Sequence, residues 1–338
     1  MKALTNFADQ RLFGFHQLGS CGILADNENG RKQLEDAALH AMQASAKVFE
    51  IVCAPFCTLP PSFIAQTLTG YGIRHIAYCI VFTQDDKGRA TDGDPISHLP
   101  DEQALATQTF LKHLAYIRDL QACGMTVSWI TGPSCFVLGR EYNEATLWSG
   151  GTTRTREQMD WAIARFYQQF IDDLASMGVK VCLEFLRPEE DRGALSSLKN
   201  VLDVIGILGG KNGQFRAHLD IFHALKRGMD PVGAVLQAGP LLGYVHAHGD
   251  NRIVPGTWLL PSEDGEARLI DPVNWWNVGN ALDEVEYAGP ITCEPFCDAI
   301  RRDIPVLGVG LPPATRPDIY YQQARRYFER MSILTMVD

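Results

Sequence analysis

The chain has 338 residues, and its 40 Asp and Glu against 30 Lys and Arg give a formal net charge of −10 at pH 7. Because a nucleic-acid groove needs Lys and Arg to replace the counterions of phosphate, this acidic balance disfavours a nucleic-acid partner. A composition of 46% hydrophobic and 21% charged residues excludes a disordered chain. No apolar stretch reaches the ~20 residues of a membrane span, and the first residues lack the apolar segment of a secretory signal. Nine cysteines, an odd count, indicate reduced thiols, so we expect a cytoplasmic protein without a membrane partner.

Short apolar runs alternate with amphipathic helical patterns along the chain. Eight runs predict strands, at residues 13–16, 47–52, 75–82, 125–130, 179–183, 215–221, 242–246 and 291–294. A helical pattern follows each strand. Among them, one helix is predicted from Met159 to Met177, and Gly178 can end it by adopting a positive φ.

Alternating strands and helices predict a parallel sheet, because parallel neighbours need a crossover connection. Eight such units predict an α/β fold of the (β/α)₈ TIM barrel type, which needs ~250 residues, as a single domain over residues 1–338. The surplus residues form long loops after strands, at 83–100, 132–155, 249–272 and 296–317. Such loops lie on the C-terminal face, where these barrels keep their active sites. The alternative, a doubly wound open sheet, requires a glycine-rich phosphate loop after the first strand, and residues 13–20 do not supply one.

Four predicted strands in the second half of the chain end in side chains that can bind a metal ion. They are Glu184, then Asp220 at the end of the run His218-Leu219-Asp220, then His246, and finally Glu294. A single Glu or His at such a position is usually a solvated or packed residue, but these four strands are neighbours in a barrel, so their ends converge. Charged groups beside an apolar core are unfavourable unless they are paired or bind a cation. Three carboxylates and one imidazole favour Mn²⁺, Mg²⁺ or Co²⁺, and Zn²⁺ also fits.

The same segments resemble a known family. LEFLRPEE at residues 183–190 resembles the fifth strand of the ketose 3-epimerases, which are xylose isomerase-like TIM barrels. DIFH at 220–223 is similar to their D-x-x-H motif on the sixth strand. HAHGDNR at 246–252, with a Pro-Gly just beyond, and ITCEPF at 291–296 resemble their last two strands. One departure is Arg187-Pro188, which stands where the family usually has an Asn-Arg pair.

The resemblance implies a site with one divalent metal ion, with Mn²⁺ expected first and Co²⁺, Mg²⁺ or Zn²⁺ as alternatives. The implied metal ligands are Glu184, Asp220, His246 and Glu294, and the implied substrate-binding residues are Glu190, His223 and Arg252. His248 shares strand parity with His246 and is an alternative ligand, but the six-residue interval to Arg252 favours His246.

The implied activity is that of a sugar isomerase or epimerase. A proton is moved at the carbon next to a ketose carbonyl, through a metal-stabilised enediolate, with Glu184 and Glu294 as the catalytic carboxylates on opposite faces. We expect a small sugar or polyol as substrate and a homodimer or homotetramer as the assembly.

Other functions on the same barrel remain open at this stage. An inosose dehydratase would use the same ion and a carboxylate base but expel water, and an aldose–ketose isomerase would move the carbonyl. An endonuclease IV-like nuclease needs more histidine ligands and a basic surface, which the charge of −10 disfavours. An inactive sugar-binding barrel would have lost ligands, yet none of the four is missing.

Overall fold

A computed structural model describes residues 12–17, 24–52, 57–80, 92–97, 99–132, 147–149, 152–188, 195–210, 213–248, 273–294, 322 and 325–326, with the backbone alone at 147–149 and 152–154. Eight parallel strands close into a barrel within these residues. In chain order they are β1 (Phe13–His16), β2 (Val48–Val52), β3 (His75–Cys79), β4 (Thr126–Thr131), β5 (Lys180–Glu184), β6 (Phe215–Asp220), β7 (Leu242–His246) and β8 (Ile291–Cys293).

The barrel closes where the first strand meets the last. In β1, Gly14 pairs with Val48 of β2 on one side and with Thr292 of β8 on the other, both in parallel register. The TIM barrel predicted from the alternation of elements is therefore confirmed, and the open-sheet alternative is wrong. The predicted strands differ from the observed ones only at their ends: β3, for example, stops at Cys79.

Helices follow the strands and cover the outside of the barrel. Those of the described residues are α1 (Glu28–Gln43), α2 (Pro61–Gly70), α3 (Pro100–Ala122), α4 (Arg156–Gln168), α5 (Ile171–Met177), α6 (Leu198–Ile207), α7 (Ile221–Lys226), α8 (Pro231–Ala238) and α9 (Trp275–Glu284). None of them is both long and apolar enough to cross a bilayer.

The region predicted as one helix from Met159 to Met177 is two helices, α4 and α5. The chain tightens at Gln169–Phe170, where the Phe170 N–H bonds to the carbonyl of Tyr167, three residues back. The Phe170 ring packs on Phe110, with centroids 4.6 Å apart, so an aromatic contact with α3 interrupts the regular helix. Gly178 ends α5 at a φ of 66°, as predicted.

A separate cluster of side chains fills the interior of the barrel. It consists of Val48, Ala77, Trp129, Cys182 and Tyr244, one from each of five strands. Because strand side chains alternate in direction, the residues two positions further along these strands also face inward. The interior is therefore apolar at this level and becomes polar toward the carboxyl ends of the strands.

Most residues of the four predicted long loops lie outside the described part of the chain. A short antiparallel hairpin, Leu147–Ser149 paired with Thr152–Arg154, lies in the loop after β4. The sequence pattern did not predict this hairpin, because strands of three residues are too short to show an alternation of apolar and polar side chains.

The closing pair of strands provides a test of the packing. A Cβ atom on Gly14 would lie 2.0 Å from Oγ1 of Thr292, so we expect Gly14→Ala to lower the free energy of unfolding by about 1–3 kcal/mol, the usual effect of overpacking. Gly206→Ala in α6 is the control, since nothing lies within 4 Å of its Cβ position and a helical alanine is favoured by ~0.5–1 kcal/mol. Thermal unfolding of both variants measures the difference. Equal melting of the Gly14→Ala and wild-type proteins would contradict the close approach.

Candidate metal centre

Five predicted site residues lie together at the carboxyl ends of neighbouring strands. Glu184 ends β5, Asp220 ends β6, His246 ends β7 and Glu294 directly follows β8, while His223 lies in α7 just after β6. Glu184 and His246 stand two positions after the inner-cluster residues Cys182 and Tyr244, which explains why their side chains also turn inward. All five are at most 9% exposed.

The distances bring the predicted ligands into overlapping groups. Nδ1 of His246 lies 3.1 Å from Oε2 of Glu294 and 4.0 Å from Oδ2 of Asp220. Ligand atoms of Asp220, His246 and Glu294 all lie within 4.8 Å of one another, and so do those of Glu184, Asp220 and His223. Side chains from four strands thus converge on one buried space.

Asp220 uses its two oxygens for different purposes. Oδ1 accepts the N–H groups of Phe222 at 2.7 Å and His223 at 3.2 Å, and so caps the start of α7. Oδ2 faces the site and lies 3.4 Å from Nε2 of His223. The D-x-x-H spacing therefore places the carboxylate and the imidazole side by side at the junction of β6 and α7.

His223 is oriented by the segment that departs from the family pattern. The backbone N–H of Arg187 donates to Nδ1 of His223 at 3.1 Å, so a neutral ring carries its proton on Nε2. Nε2 lies 3.7 Å from Oε1 of Glu184. The guanidinium of Arg187 lies 5.2 Å from the centre of the Phe222 ring. Replacement of Asn-Arg by Arg187-Pro188 is therefore compatible with a fixed His223.

Two further histidines also line the site: His248, the alternative ligand of the sequence analysis, and His218. Nε2 of His248 lies 3.0 Å from Oδ2 of Asp220 and 3.6 Å from Oε2 of Glu294. Nδ1 of His218 lies 3.6 Å from Oε2 of Glu184, its partner in the β5–β6 register. Neither ring nitrogen of His218 has a hydrogen-bond partner within the described residues.

Sequence reasoning missed two buried residues of the site. Glu50 is a carboxylate in the middle of the apolar strand β2, and its Oε2 lies 2.9 Å from Nε2 of His246. His16 ends β1, and its Nε2 lies 3.3 Å from Oε1 of Glu294. A charged residue inside the run Val-Phe-Glu-Ile-Val is a signal that could have found Glu50, because such a residue needs a partner in the interior.

Burial and neighbouring charges divide the carboxylates into two groups. Burial raises the pKa of Glu184 well above its usual value. His246 opposes this increase in the pKa, and the negative charges of Asp220 and Glu294 add to it. Burial would also raise the pKa of Glu50, but His246 and His16 outweigh it and hold that pKa at about 2.

The pKa of His246 shifts in the opposite direction from that of a typical buried histidine. Burial would lower it, but Glu50 and Glu294 raise it well above the usual value.

The donor set of this centre fits a divalent cation. Glu184, Asp220 and Glu294 supply carboxylate oxygens and His246 supplies a nitrogen, the ligands that Mn²⁺ and similar ions accept. Nδ1 of His246 is buried and lacks the geometry of a hydrogen bond to the carboxylates that it faces. Of the predicted substrate-binding residues, Glu190 and Arg252 lie outside the described part of the chain.

Ketose 3-epimerases are among the known proteins that this chain resembles. A segment of 128 residues is 33% identical to a D-psicose 3-epimerase of Agrobacterium fabrum, and it covers 37% of this chain and 38% of that relative. The chain thus matches well under half the length of this curated relative.

Solved structures resemble the chain over nearly its whole length. A D-allulose 3-epimerase from Methylomonas sp., solved in complex with D-allulose, superposes with a TM-score of 0.70 at 20% identity, over 95% of this chain and 97% of that one. A D-psicose 3-epimerase solved in the presence of D-fructose has a TM-score of 0.69 at 17% identity, over 95% and 99% of the two chains.

A family model described as the xylose isomerase-like TIM barrel matches residues 25–330. This range includes seven of the eight barrel strands and every residue of the site except His16. The chain belongs to the xylose isomerase-like TIM barrel family.

Proposed function

We propose that the chain is a divalent-metal-dependent sugar epimerase that acts on a free ketose at the carbon next to the carbonyl, as a ketose 3-epimerase does. The observation that carries the proposal is the convergence of Glu184, Asp220, His246 and Glu294 at four consecutive strand ends. Relatives named D-psicose 3-epimerase support the reaction class, and structural neighbours solved with D-allulose or D-fructose support a ketose substrate.

In this proposal the four residues hold one divalent ion, with Mn²⁺ as the first choice. When bound, the ion supplies a Lewis acid that stabilises negative charge developing on the carbonyl and hydroxyl oxygens of the sugar. The buried surroundings strengthen every electrostatic interaction at the reacting atoms.

Glu184 and Glu294 are the proposed proton-transfer groups. Glu184 ends β5 and Glu294 follows β8, on either side of the strands that carry Asp220 and His246, so a sugar between them would present one face to each. One carboxylate removes the proton, the electron pair of the broken C–H bond moves toward the carbonyl oxygen, and the other carboxyl group returns a proton to the opposite face. Proton exchange with solvent then restores both groups.

His223, Glu190 and Arg252 are the proposed substrate-binding residues. Support for His223 is geometric, because the Arg187 N–H at Nδ1 leaves Nε2 as the donor that faces the site. Glu190 and Arg252 enter the proposal through their motifs, in which each stands six residues after a proposed metal ligand, Glu184 or His246.

The function is tested by incubating the purified protein with Mn²⁺ and a panel of ketoses in D₂O. We expect a 3-epimer carrying one deuterium at the inverted carbon, because the carboxyl group that returns the proton exchanges its own proton with D₂O. Glu184→Gln and Glu294→Gln should each lower kcat by ~10²–10⁴-fold or more, since an amide cannot accept the proton. Glu157→Gln, an exposed residue of α4, is the matched control and should leave kcat unchanged.

Other products of the same assay would contradict the epimerase. Aldose formed without deuterium would indicate hydride transfer by an aldose–ketose isomerase. Loss of water from inosose would indicate a dehydratase. A Glu184→Gln protein with a near-normal kcat would remove Glu184 from the proton transfer.

Metal binding should release protons. With protein groups alone the pKa values of Glu184 and His246 are both raised, so a cation must displace the protons that these groups hold. We expect about one to two protons released per Mn²⁺ near neutral pH, and an affinity that strengthens as pH rises because protons compete less. Calorimetry in two buffers with different ionisation enthalpies counts the protons. Binding without proton release would contradict the assigned ligands.

Substrate binding and proton transfer should separate in the kinetics. Because His223 is proposed to donate to a sugar oxygen, His223→Ala should mainly raise KM, with a smaller loss in kcat from poorer positioning. Steady-state kinetics with the best ketose of the panel gives both constants. A collapse of kcat with an unchanged KM would instead make His223 part of the proton transfer.

A further inference from the structure

Glu50 connects the metal centre to the opposite wall of the barrel. It lies on β2, three strands around the barrel from β7, and it is completely buried. Its Oε1 accepts the hydroxyl of Thr131, and its Oε2 accepts the hydroxyl of Tyr244 at 2.8 Å and faces Nε2 of His246 at 2.9 Å. The Tyr244 hydroxyl also lies 2.7 Å from Oγ1 of Thr292. Side chains from β2, β4, β7 and β8 thus form one buried network.

This network determines which nitrogen of His246 can bind a cation. An ionised carboxylate only accepts hydrogen bonds, so the nitrogen that bonds to Glu50 must carry hydrogen. Nε2 is therefore the protonated nitrogen, and Nδ1 is the atom left to coordinate. Nδ1 is also the atom that faces Glu294 at 3.1 Å and Asp220 at 4.0 Å.

His248 provides the contrast. It reaches Asp220 through Nε2 at 3.0 Å, but its Nδ1 has no hydrogen-bond partner within the described residues. Within the described residues no carboxylate contacts Nδ1 of His248, whereas Glu50 contacts Nε2 of His246, the ring nitrogen opposite the one that faces Asp220 and Glu294. In that part of the chain His246 therefore has a second carboxylate behind its ring, the arrangement that orients metal ligands in proteins, and His248 does not.

We propose that Glu50 is a positioning residue that fixes His246 as an Nδ1 ligand and thereby raises the affinity of the centre for its divalent ion. This inference rests on the metal site of the proposed function. Glu50 touches neither substrate nor ion and acts through His246, while Thr131 and Tyr244 hold Glu50 in place.

Glu50→Gln tests the proposal because it keeps the shape and removes the charge. In the wild type the hydroxyls of Thr131 and Tyr244 and the Nε2–H of His246 all donate to Glu50. A glutamine has only one carbonyl oxygen, so its NH₂ group must face one of these donors. We expect the Kd for Mn²⁺, measured by titration calorimetry on the metal-free full-length protein, to rise by about 10–100-fold, the usual effect of losing such a partner. The far-ultraviolet circular dichroism of the variant should match that of the wild type.

Two controls separate positioning from general loosening of the interior. Glu157→Gln carries the same chemical change on the surface and should bind Mn²⁺ as the wild type does. Tyr244→Phe removes one donor to Glu50 but keeps the Glu50–His246 pair, so its Kd should change much less than that of Glu50→Gln. An equal loss in Tyr244→Phe, or an unchanged Kd in Glu50→Gln, would overturn the proposal.

A crystal structure of the Mn²⁺-loaded wild type gives a readout that does not depend on a variant. Anomalous scattering should place the ion on Nδ1 of His246, with Nε2 still bonded to Glu50. Coordination through Nε2 of His246, or through His248 in its place, would overturn the inference. If the wild type binds no divalent ion at all, the proposed function fails; if it binds one and Glu50→Gln binds it equally well, the role of Glu50 fails alone.

Discussion

Glu50, Glu184, Asp220 and Glu294 are buried in one space, and buried carboxylates are stable only beside positive charge or hydrogen-bond donors. The barrel meets this requirement in two ways. Around Glu50 it supplies hydroxyls and an imidazole, which fully occupy the carboxylate. Around Glu184, Asp220 and Glu294 it supplies histidines whose ring nitrogens lie 3.0–4.0 Å from the carboxylate oxygens. Oxygens of these three carboxylates still face a common space. Incomplete compensation in that space supports the proposed cation site.

The difference between the two arrangements lies in the partners of each carboxylate. Glu50 and Glu184 each stand two positions after a member of the apolar inner cluster, Val48 and Cys182. Glu50 is satisfied by two hydroxyls and the His246 ring. Within the described residues, Glu184 faces the imidazole nitrogens of His218 and His223 at 3.6 and 3.7 Å.

The parts of this structure that depend on local sequence patterns were predictable. Strands such as Thr126–Thr131 are rich in β-branched and aromatic residues and lie between glycines, and Gly178 marks the end of its helix. The ligands Glu184, Asp220, His246 and Glu294 could be found because each closes a strand. Their roles as ligands and catalytic groups came from resemblance to a family and remain predictions.

The contributions of distant segments could not be predicted from local patterns. Glu50 lies almost 200 positions before His246, and the pairing depends on barrel closure and on which way two side chains point. The break at Gln169–Phe170 depends on a contact with Phe110 in another helix, which no periodicity within residues 159–177 contains.

The two oxygens of Asp220 also explain the length of its side chain. A carboxylate one carbon from the backbone can bend back onto the N–H groups that follow it, which is why Asp is a preferred helix cap. At 220 the same group must cap α7 and still present Oδ2 to the centre. Glu184 on β5 and Glu294 after β8 have the longer side chain and cap no helix within the described residues. At the end of β6 the shorter acid both closes a strand and starts a helix, so it ties one proposed ligand directly to the backbone.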